Sequence, residues 1–305
     1  MEPLNYIQLN TSNKLRMIPE TTHYLTCKDY TVSNKKFDLL YHSALEMLET
    51  FPQPKAEELS GYYESEDYIS HTDSKKSAID KLYQIVKKIA LASKLERINS
   101  FKTADKNLLD VGCGTGDFLL TCKNNGWKVI GIEPNAKAKI SVENKLTGAS
   151  ASEIYSEINQ LKPEAQFDVI TLWHVLEHVP DLDHYIEKLK SKLKPEGVLI
   201  VAVPNFKSYD ASYYKQFWAA YDVPRHLWHF SKKSIHELFA KQEMSVVKIL
   251  PMVFDSFYVS LLSEKYKNGK SNFLKAFYVG LLSNIKAMRT KEYSSLIYVI
   301  KNTKY

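Results

Sequence analysis

The chain turns on Asn107-Leu108-Leu109-Asp110-Val111-Gly112-Cys113-Gly114-Thr115-Gly116-Asp117-Phe118-Leu119-Leu120. A short apolar run ends in an acid, three glycines follow at alternate positions, and an apolar pattern at helical spacing comes next. That order reads as strand, tight turn, helix. Glycine permits backbone angles closed to other residues and leaves no side chain where a ligand must come close. A helix starting near Gly116 points its unbonded N–H groups back into the same space. The glycines read G-x-G-x-G, whereas a dinucleotide-binding turn reads G-x-G-x-x-G, so the spacing disfavours a nicotinamide-dependent oxidoreductase.

Outward from the turn, strands alternate with helical segments. Residues 116–124 predict a helix closed by Asn124-Asn125-Gly126, and Lys128 to Glu133 predict the next strand. Glu133 ends that strand 17 residues after Gly116, where a nucleotide fold needs a carboxylate for the two ribose hydroxyls. An acid there also serves as a helix cap, since Pro134-Asn135 begins another helix. The third strand is weakly marked and is placed at Ala149 to Tyr155. Phe167 to Trp173 and Val198 to Val203 are clear buried strands, with a helix over 181–193 between them. Residues 76–100 predict a helix with Ile79, Leu82, Ile85, Val86, Ile89, Ala90 and Leu95 on one face. Ser231 caps a further helix, and Ser245 to Leu250 and Tyr293 to Ile300 predict the last two strands.

The pattern D-x-G-x-G-x-G at Asp110 to Gly116 resembles the first motif of class I S-adenosylmethionine-dependent methyltransferases. Leu176-Glu177-His178-Val179-Pro180-Asp181 resembles their L-E-H-V-x-D segment, most closely in those methylating hydroxyls of quinone precursors. Asp222-Val223-Pro224-Arg225-His226-Leu227-Trp228-His229-Phe230 resembles the D-x-P-R-H-L-x-H-F segment of a bacterial subfamily. The resemblance implies an α/β, Rossmann-like sheet of seven strands in the order 3-2-1-4-5-7-6, with strand 7 antiparallel and helical cap insertions. It implies S-adenosylmethionine as cofactor, leaving as S-adenosylhomocysteine. Asp110 then orients the cofactor's methionine part, and Gly112, Cys113, Gly114, Gly116, Asp117, Phe118, Glu133, Pro134, Trp173 and His178 complete its site. Tyr68 and His71, in the aromatic stretch 61–71, are placed in a lid over the cofactor.

For the acceptor, Arg225 and Asp222 are candidate substrate contacts, together with Tyr258 in a second insertion. His174, His226 and His229 are the candidate catalytic groups, because histidine titrates near neutrality and can take a proton from a hydroxyl. The packing alternative is an Asp222–Arg225 pair with a histidine bonded to backbone, holding the cap together. His174-x-x-Glu177-His178 also fits a zinc peptidase pattern, but that pattern needs a long helix, and here it follows a buried strand with Pro180 close behind. Some quinone O-methyltransferases hold a divalent ion at this loop. His174, Glu177 and His178 have suitable donor atoms, yet local bonding is the preferred reading and no metal is expected. Lys28 to Phe37 resembles a lead-in that relatives often continue with a zinc-binding C-x-x-C pair. His42-Ser43-Ala44-Leu45 stands in that place, so a zinc-free segment is expected, with a helix over Leu39 to Phe51.

At 305 residues, with 44% hydrophobic and 25% charged residues, the chain has ample material for a core. Three scattered cysteines indicate a reducing compartment and no disulfide framework. The first residues lack a signal-peptide pattern, and no run reaches the roughly 20 apolar residues that span a bilayer. A cytoplasmic protein is expected. Its organisation is read as a lead-in and lid (1–75), a methyltransferase core with a cap insertion at 206–230 (76–250), and a helical insertion with the final strand (251–305). The net charge is +6, and residues 251–305 carry all of that excess. A solvated basic face or peripheral contact with a membrane explains it, and nucleic acid is not expected. The function expected is methyl transfer to a small molecule, at a hydroxyl oxygen. The alternative is a cofactor-binding protein without turnover.

Overall fold

The computed structural model describes residues 21–63, 78–103, 105–146 and 153–303. They fall into two compact units. The first takes in Met1–His71, Pro204–Glu237 and Pro251–Leu296, and the second Thr72–Val203, Leu238–Leu250 and Ile297–Tyr305.

In the first unit, β1 (Thr21–Lys28), β2 (Lys36–His42) and β3 (Met47–Phe51) form an antiparallel sheet, and the two-residue strand Trp228–His229 (β9 in chain order) pairs with β3. The helix expected over Leu39 to Phe51 is therefore a hairpin. Leu and Met are good helix formers, but propensity yields to tertiary pairing, and β2 bonds to β1 on one side and β3 on the other. Glu46, in the left-handed region at φ 51°, makes the turn. Phe37, Leu39 and Leu48 are buried with Trp218 and Tyr221 in one apolar cluster.

The second unit is built on a seven-stranded sheet. Its strands are β4 (Asn107–Val111), β5 (Lys128–Ile132), β6 (Glu153–Tyr155), β7 (Phe167–Trp173), β8 (Leu193–Pro204), β10 (Met244–Pro251) and β11 (Ser295–Asn302). The spatial order is β10-β11-β8-β7-β4-β5-β6, with one antiparallel strand, which is the order implied by the sequence resemblance. Strands β5, β4, β7 and β8 pair in parallel with β6 at the edge, and every residue of β7 except Trp173 is buried. Continuous apolar runs such as Val198 to Val203 are what a sheet covered on both faces requires. The third strand is shorter than expected, and the part of that reading at 149–152 lies outside the described residues.

Helices, also in chain order, are α1 (Ala56–Leu59), α2 (Ala78–Asn99), α3 (Asp117–Lys123), α4 (Ala136–Leu146), α5 (Leu182–Lys192), α6 (Tyr209–Tyr214), α7 (Lys232–Ala240), α8 (Asp255–Asn268) and α9 (Phe273–Thr290). The last two confirm the helical reading of the insertion at 251–292. Gly116 caps α3 at φ 79°, and a Cβ there would lie 2.1 Å from Val142 Cγ2 of α4. Only glycine lets α3 begin this close to α4.

One buried carboxylate organises the first unit. Asp210 on α6 accepts from Trp218 Nε1, Ser283 Oγ and Ser294 Oγ, each at 2.7 Å. These donors come from three separate stretches of chain, so a single side chain ties α6, α9 and the approach to β11 together. Asp210→Ala removes the shared acceptor and strands three buried donors. We expect chemical denaturation to show a loss of about 3 kcal/mol or more. A loss within 0.5 kcal/mol of zero would show that the network is not holding the unit.

Candidate cofactor and catalytic site

The site in the second unit is assembled at the C-terminal ends of β4, β5 and β7. Parallel register sets Asp110 of β4 opposite Thr171 of β7 and Gly131 of β5. Thr171 Oγ1 donates to Asp110 Oδ1 at 2.6 Å. Burial pushes the Asp110 carboxyl up to about 7, opposed by the Thr171 hydroxyl and the Lys94 charge and reinforced by Glu133. An acid so placed gains when a positively charged group arrives.

The glycine turn is pinned from the neighbouring strand. Gly112 N–H donates to Ile132 O at 2.7 Å. Glu133 accepts from Gly114 N–H through Oε2 and from Asn135 N–H through Oε1, both at 2.8 Å. The cap reading of Glu133 is met by the Asn135 bond. It holds the start of the α4 segment and the turn, and each of its oxygens retains a lone pair for a ribose hydroxyl. Burial raises its carboxyl, partly offset by the Asn135 and Gly114 bonds. A Cβ built on Gly114 meets nothing within 4 Å, so the turn faces open space where a ligand would lie.

Asp117, in the first turn of α3, accepts from Lys145 at 2.8 Å and pairs with Lys87 at 2.7 Å. Burial would raise its carboxyl, but the two ammonium groups outweigh it and hold it below the usual range. Phe118 packs edge-on against Trp173, ring centroids 5.7 Å apart. Cys113 is buried, and burial raises its thiol, so it serves as packing rather than as a nucleophile. Pro134 follows Glu133 at the β5 end and starts the turn into α4.

One group here escaped the sequence reading, and a second makes the local bond expected of it. Lys94 of α2 lies with Nζ 4.3 Å from the Trp173 ring centroid and 5.8 Å from that of Phe118. Nothing in the local pattern of α2 separates it from the helix's other lysines. Glu177, fully buried, bonds through Oε1 to His174 Nδ1 at 3.3 Å. This is the local bonding preferred for these two residues on the sequence. His174 has φ 58°, and its N–H donates to Ala202 O at 2.9 Å. His178 follows in the same short 3-10 turn.

The remaining residues lie in the first unit. Arg225 donates through Nε to Asp222 Oδ2 at 2.9 Å, through Nη2 to Asp222 Oδ1, and through Nη1 to Tyr62 O at 3.3 Å. Burial would lower its basicity, but the Asp222 carboxylate reverses that and keeps it charged. His226 Nδ1 sits 2.9 Å from Ala220 O. This is the arrangement of the packing alternative. Thr50 Oγ1 donates to His226 O at 2.6 Å, so the 3.1 Å contact between Thr50 Oγ1 and His229 Nε2 has the imidazole as donor. Burial, then the His226 charge, drives His229 well below its ordinary pKa, and it stays neutral as a brace on β3. Tyr258 lies on α8 with its ring partly exposed. Tyr68 and His71 lie outside the described residues.

Comparison with known proteins agrees with the fold. A family model described as "Methyltransferase domain" matches residues 66–249. The ubiquinone biosynthesis O-methyltransferase of Rhodopseudomonas palustris (strain TIE-1) is 29% identical over 102 residues, 32% of this chain and 40% of that enzyme. Its counterpart from Rickettsia bellii is 27% identical over 144 residues, covering 45% of this chain and 59% of that one. The chain thus spans well under two thirds of these relatives. Among solved structures, magnesium protoporphyrin IX methyltransferase from Synechocystis PCC 6803 with bound SAH aligns with a TM-score of 0.52 at 14% identity, over 79% of this chain and 96% of that one. The cyclopropane synthase MmaA2 from Mycobacterium tuberculosis aligns with the same score at 15% identity, over 82% and 99%. These distant structures speak for the fold alone. With more than half its length matched, this chain belongs to the methyltransferase-domain family, which uses S-adenosylmethionine as its methyl donor.

Proposed function

We propose that the protein transfers a methyl group from S-adenosylmethionine to a hydroxyl oxygen of a small molecule. The observation that carries the reading is the set of charges around an open glycine turn. Asp110 and Glu133 flank Gly114, and Lys94 stands over Trp173. S-Adenosylmethionine presents complementary groups: a ribose diol for Glu133, positive ammonium and sulfonium groups for Asp110, and a carboxylate for Lys94. Phe118 and Trp173 supply the apolar wall, and Tyr68 and His71 are assigned to the lid on the sequence resemblance.

The methyl carbon is activated by the positive sulfur. The acceptor oxygen forms the new O–C bond as the C–S bond breaks, its electron pair returns to sulfur, and the hydroxyl proton passes to a base. The protein's work is to align the reactants and receive that proton. His174 is the best-placed base. With Nδ1 engaged by buried Glu177, its Nε2 becomes the proton acceptor. The cap residues Asp222, Arg225, His226 and Tyr258 are assigned to acceptor recognition, and His229 to support. The setting is cytoplasmic, in keeping with cysteines that are all free and buried. Among the described residues no helix is long and apolar enough to cross a membrane. The partners in this reading are the small-molecule acceptor and, through the basic C-terminal segment, a membrane surface.

The first test is transfer of labelled methyl from S-adenosylmethionine into a cell extract, with identification of the labelled product. A product methylated only at nitrogen or carbon removes the hydroxyl assignment. In that assay His174→Ala should lower kcat roughly a hundredfold, with cofactor affinity retained. Glu177→Gln should lower it roughly tenfold and shift the pH–rate profile. Unchanged turnover in His174→Ala excludes it as the base.

Cofactor affinity should also depend on pH. Asp110 is held near 7 in the folded chain, and its ordinary value is 3.8. The folded protein therefore keeps a proton that the unfolded chain gives up, and this contribution to stability fades as pH rises from about 4 to about 7. The ammonium group that S-adenosylmethionine and S-adenosylhomocysteine share needs the ionised form. We expect calorimetry to show S-adenosylhomocysteine binding more tightly from pH 5 to pH 8, by about tenfold per unit below about 7, with proton release. Asp110→Asn should bind more weakly and lose that slope. A parent protein with flat affinity over this range would contradict the placement.

A further inference from the structure

The helical pair α8 and α9 has one face committed inward and another with no place in the methyl-transfer chemistry. The inward face of α9 is small: Ala276, Val279, Gly280, Ser283 and Ala287 are buried. A Cβ on Gly280 would stand 2.8 Å from Phe257 Cδ1 and 3.0 Å from Phe257 Cα, and Ser256 Oγ donates to Gly280 O at 3.1 Å. The two helices are therefore in close contact along that seam.

The outward face is the large one. Leu274 is 87% exposed, Met288 66%, Tyr278 64%, Phe277 59%, Ile285 53% and Leu281 41%. At 3.6 residues per turn these six fall within an arc of roughly 100° opposite the buried seam. Around one edge of that arc follow Arg289, half-buried Leu282, Lys275 and Lys286. Lys286 and Arg289 are exposed, Lys275 Nζ lies 3.6 Å from buried Glu264, and Lys286 Nζ lies 3.6 Å from the Tyr209 ring centroid. From Lys265 to Lys291 the sequence has seven basic residues and no acid.

We infer that the outward face of α9 docks on an anionic lipid surface, with the helix lying in the interface plane. The inference rests on, and deepens, the membrane contact proposed above. A continuous apolar stripe with aromatic rings and a cationic border matches the acyl boundary below and the phosphate layer beside it. The alternative occupant is a second copy of this chain. A two-fold pairing through the stripe would set Lys275, Lys286 and Arg289 near their own counterparts, with no acid on α9 to offset them. Charge favours the lipid.

Cosedimentation of the full chain with phosphatidylcholine vesicles, with and without phosphatidylglycerol, tests the inference. We expect partition onto the anionic vesicles to be about tenfold higher or more, and to fall with salt. Leu274→Glu with Leu281→Glu should abolish it, and Lys286→Glu with Arg289→Glu should remove the preference for anionic lipid. Both pairs are exposed and should leave S-adenosylhomocysteine binding unchanged, and the leucine pair should leave the thermal transition unchanged as well. Equal partition onto both vesicles, or retained binding by the first pair, overturns the inference. So does a light-scattering mass of two chains that falls to one in Leu274→Glu with Leu281→Glu. Cofactor binding measured on the same samples separates the two ideas. Vesicle failure with cofactor bound sinks the docking alone, and vesicle binding without cofactor affinity sinks the methyl-transfer reading.

Discussion

The site depends on a close approach. Helix α3 starts within van der Waals reach of α4 because residue 116 carries no side chain, and that approach shapes the turn above β4. Glu133 then ties the turn to the end of β5 by accepting the Gly114 N–H. A residue assigned to the ribose on the sequence thus also holds the turn in place. Two backbone bonds to one carboxylate leave little freedom in the turn, and a pre-ordered turn loses less entropy when a ligand binds.

Charge in the second unit is graded by depth. Asp110 is deep, shares one hydrogen bond with Thr171 and sits at the edge of ionisation. Asp117, nearer the surface, is saturated by Lys87 and Lys145 and stays ionised. The two acids lie seven residues apart in the motif, yet only the first is poised to respond to a cation. Lys94, resting on Trp173, supplies the one positive group beside that acid among the described contacts. His174 and Glu177 repeat the logic on the next strand, where a buried carboxylate orients an imidazole at the strand end.

The first unit uses polar groups differently. Asp210 collects three donors, Asp222 engages Arg225, and His229 braces Thr50. These contacts are internal to the unit and satisfy groups that burial would otherwise penalise. A cluster of Asp, Arg and two His within nine residues of sequence invited a catalytic interpretation, and much of it is structural support. Composition alone does not separate the two, because catalysis and buried packing select the same residue types.

The sequence alone determined most of the strands and helices along the core and the cofactor motif, and its resemblance to a known family implied the sheet order. Glycine spacing, an acid at each of two strand ends and alternating apolar runs are local patterns, and local patterns survive in one dimension. It misread 39–51 as a helix because the partners that make it a hairpin, β1 and β9, pair with it across the sheet, and β9 comes from a distant part of the chain. It missed Lys94 because one lysine on a lysine-rich helix differs from the rest only by what packs against it. Which carboxylate sits at the edge of ionisation, which histidine is oriented by an acid and which is neutral support were decided by tertiary structure. Each depends on burial and on neighbours brought together by folding, and a pKa or a hydrogen-bond partner belongs to that environment rather than to the residue.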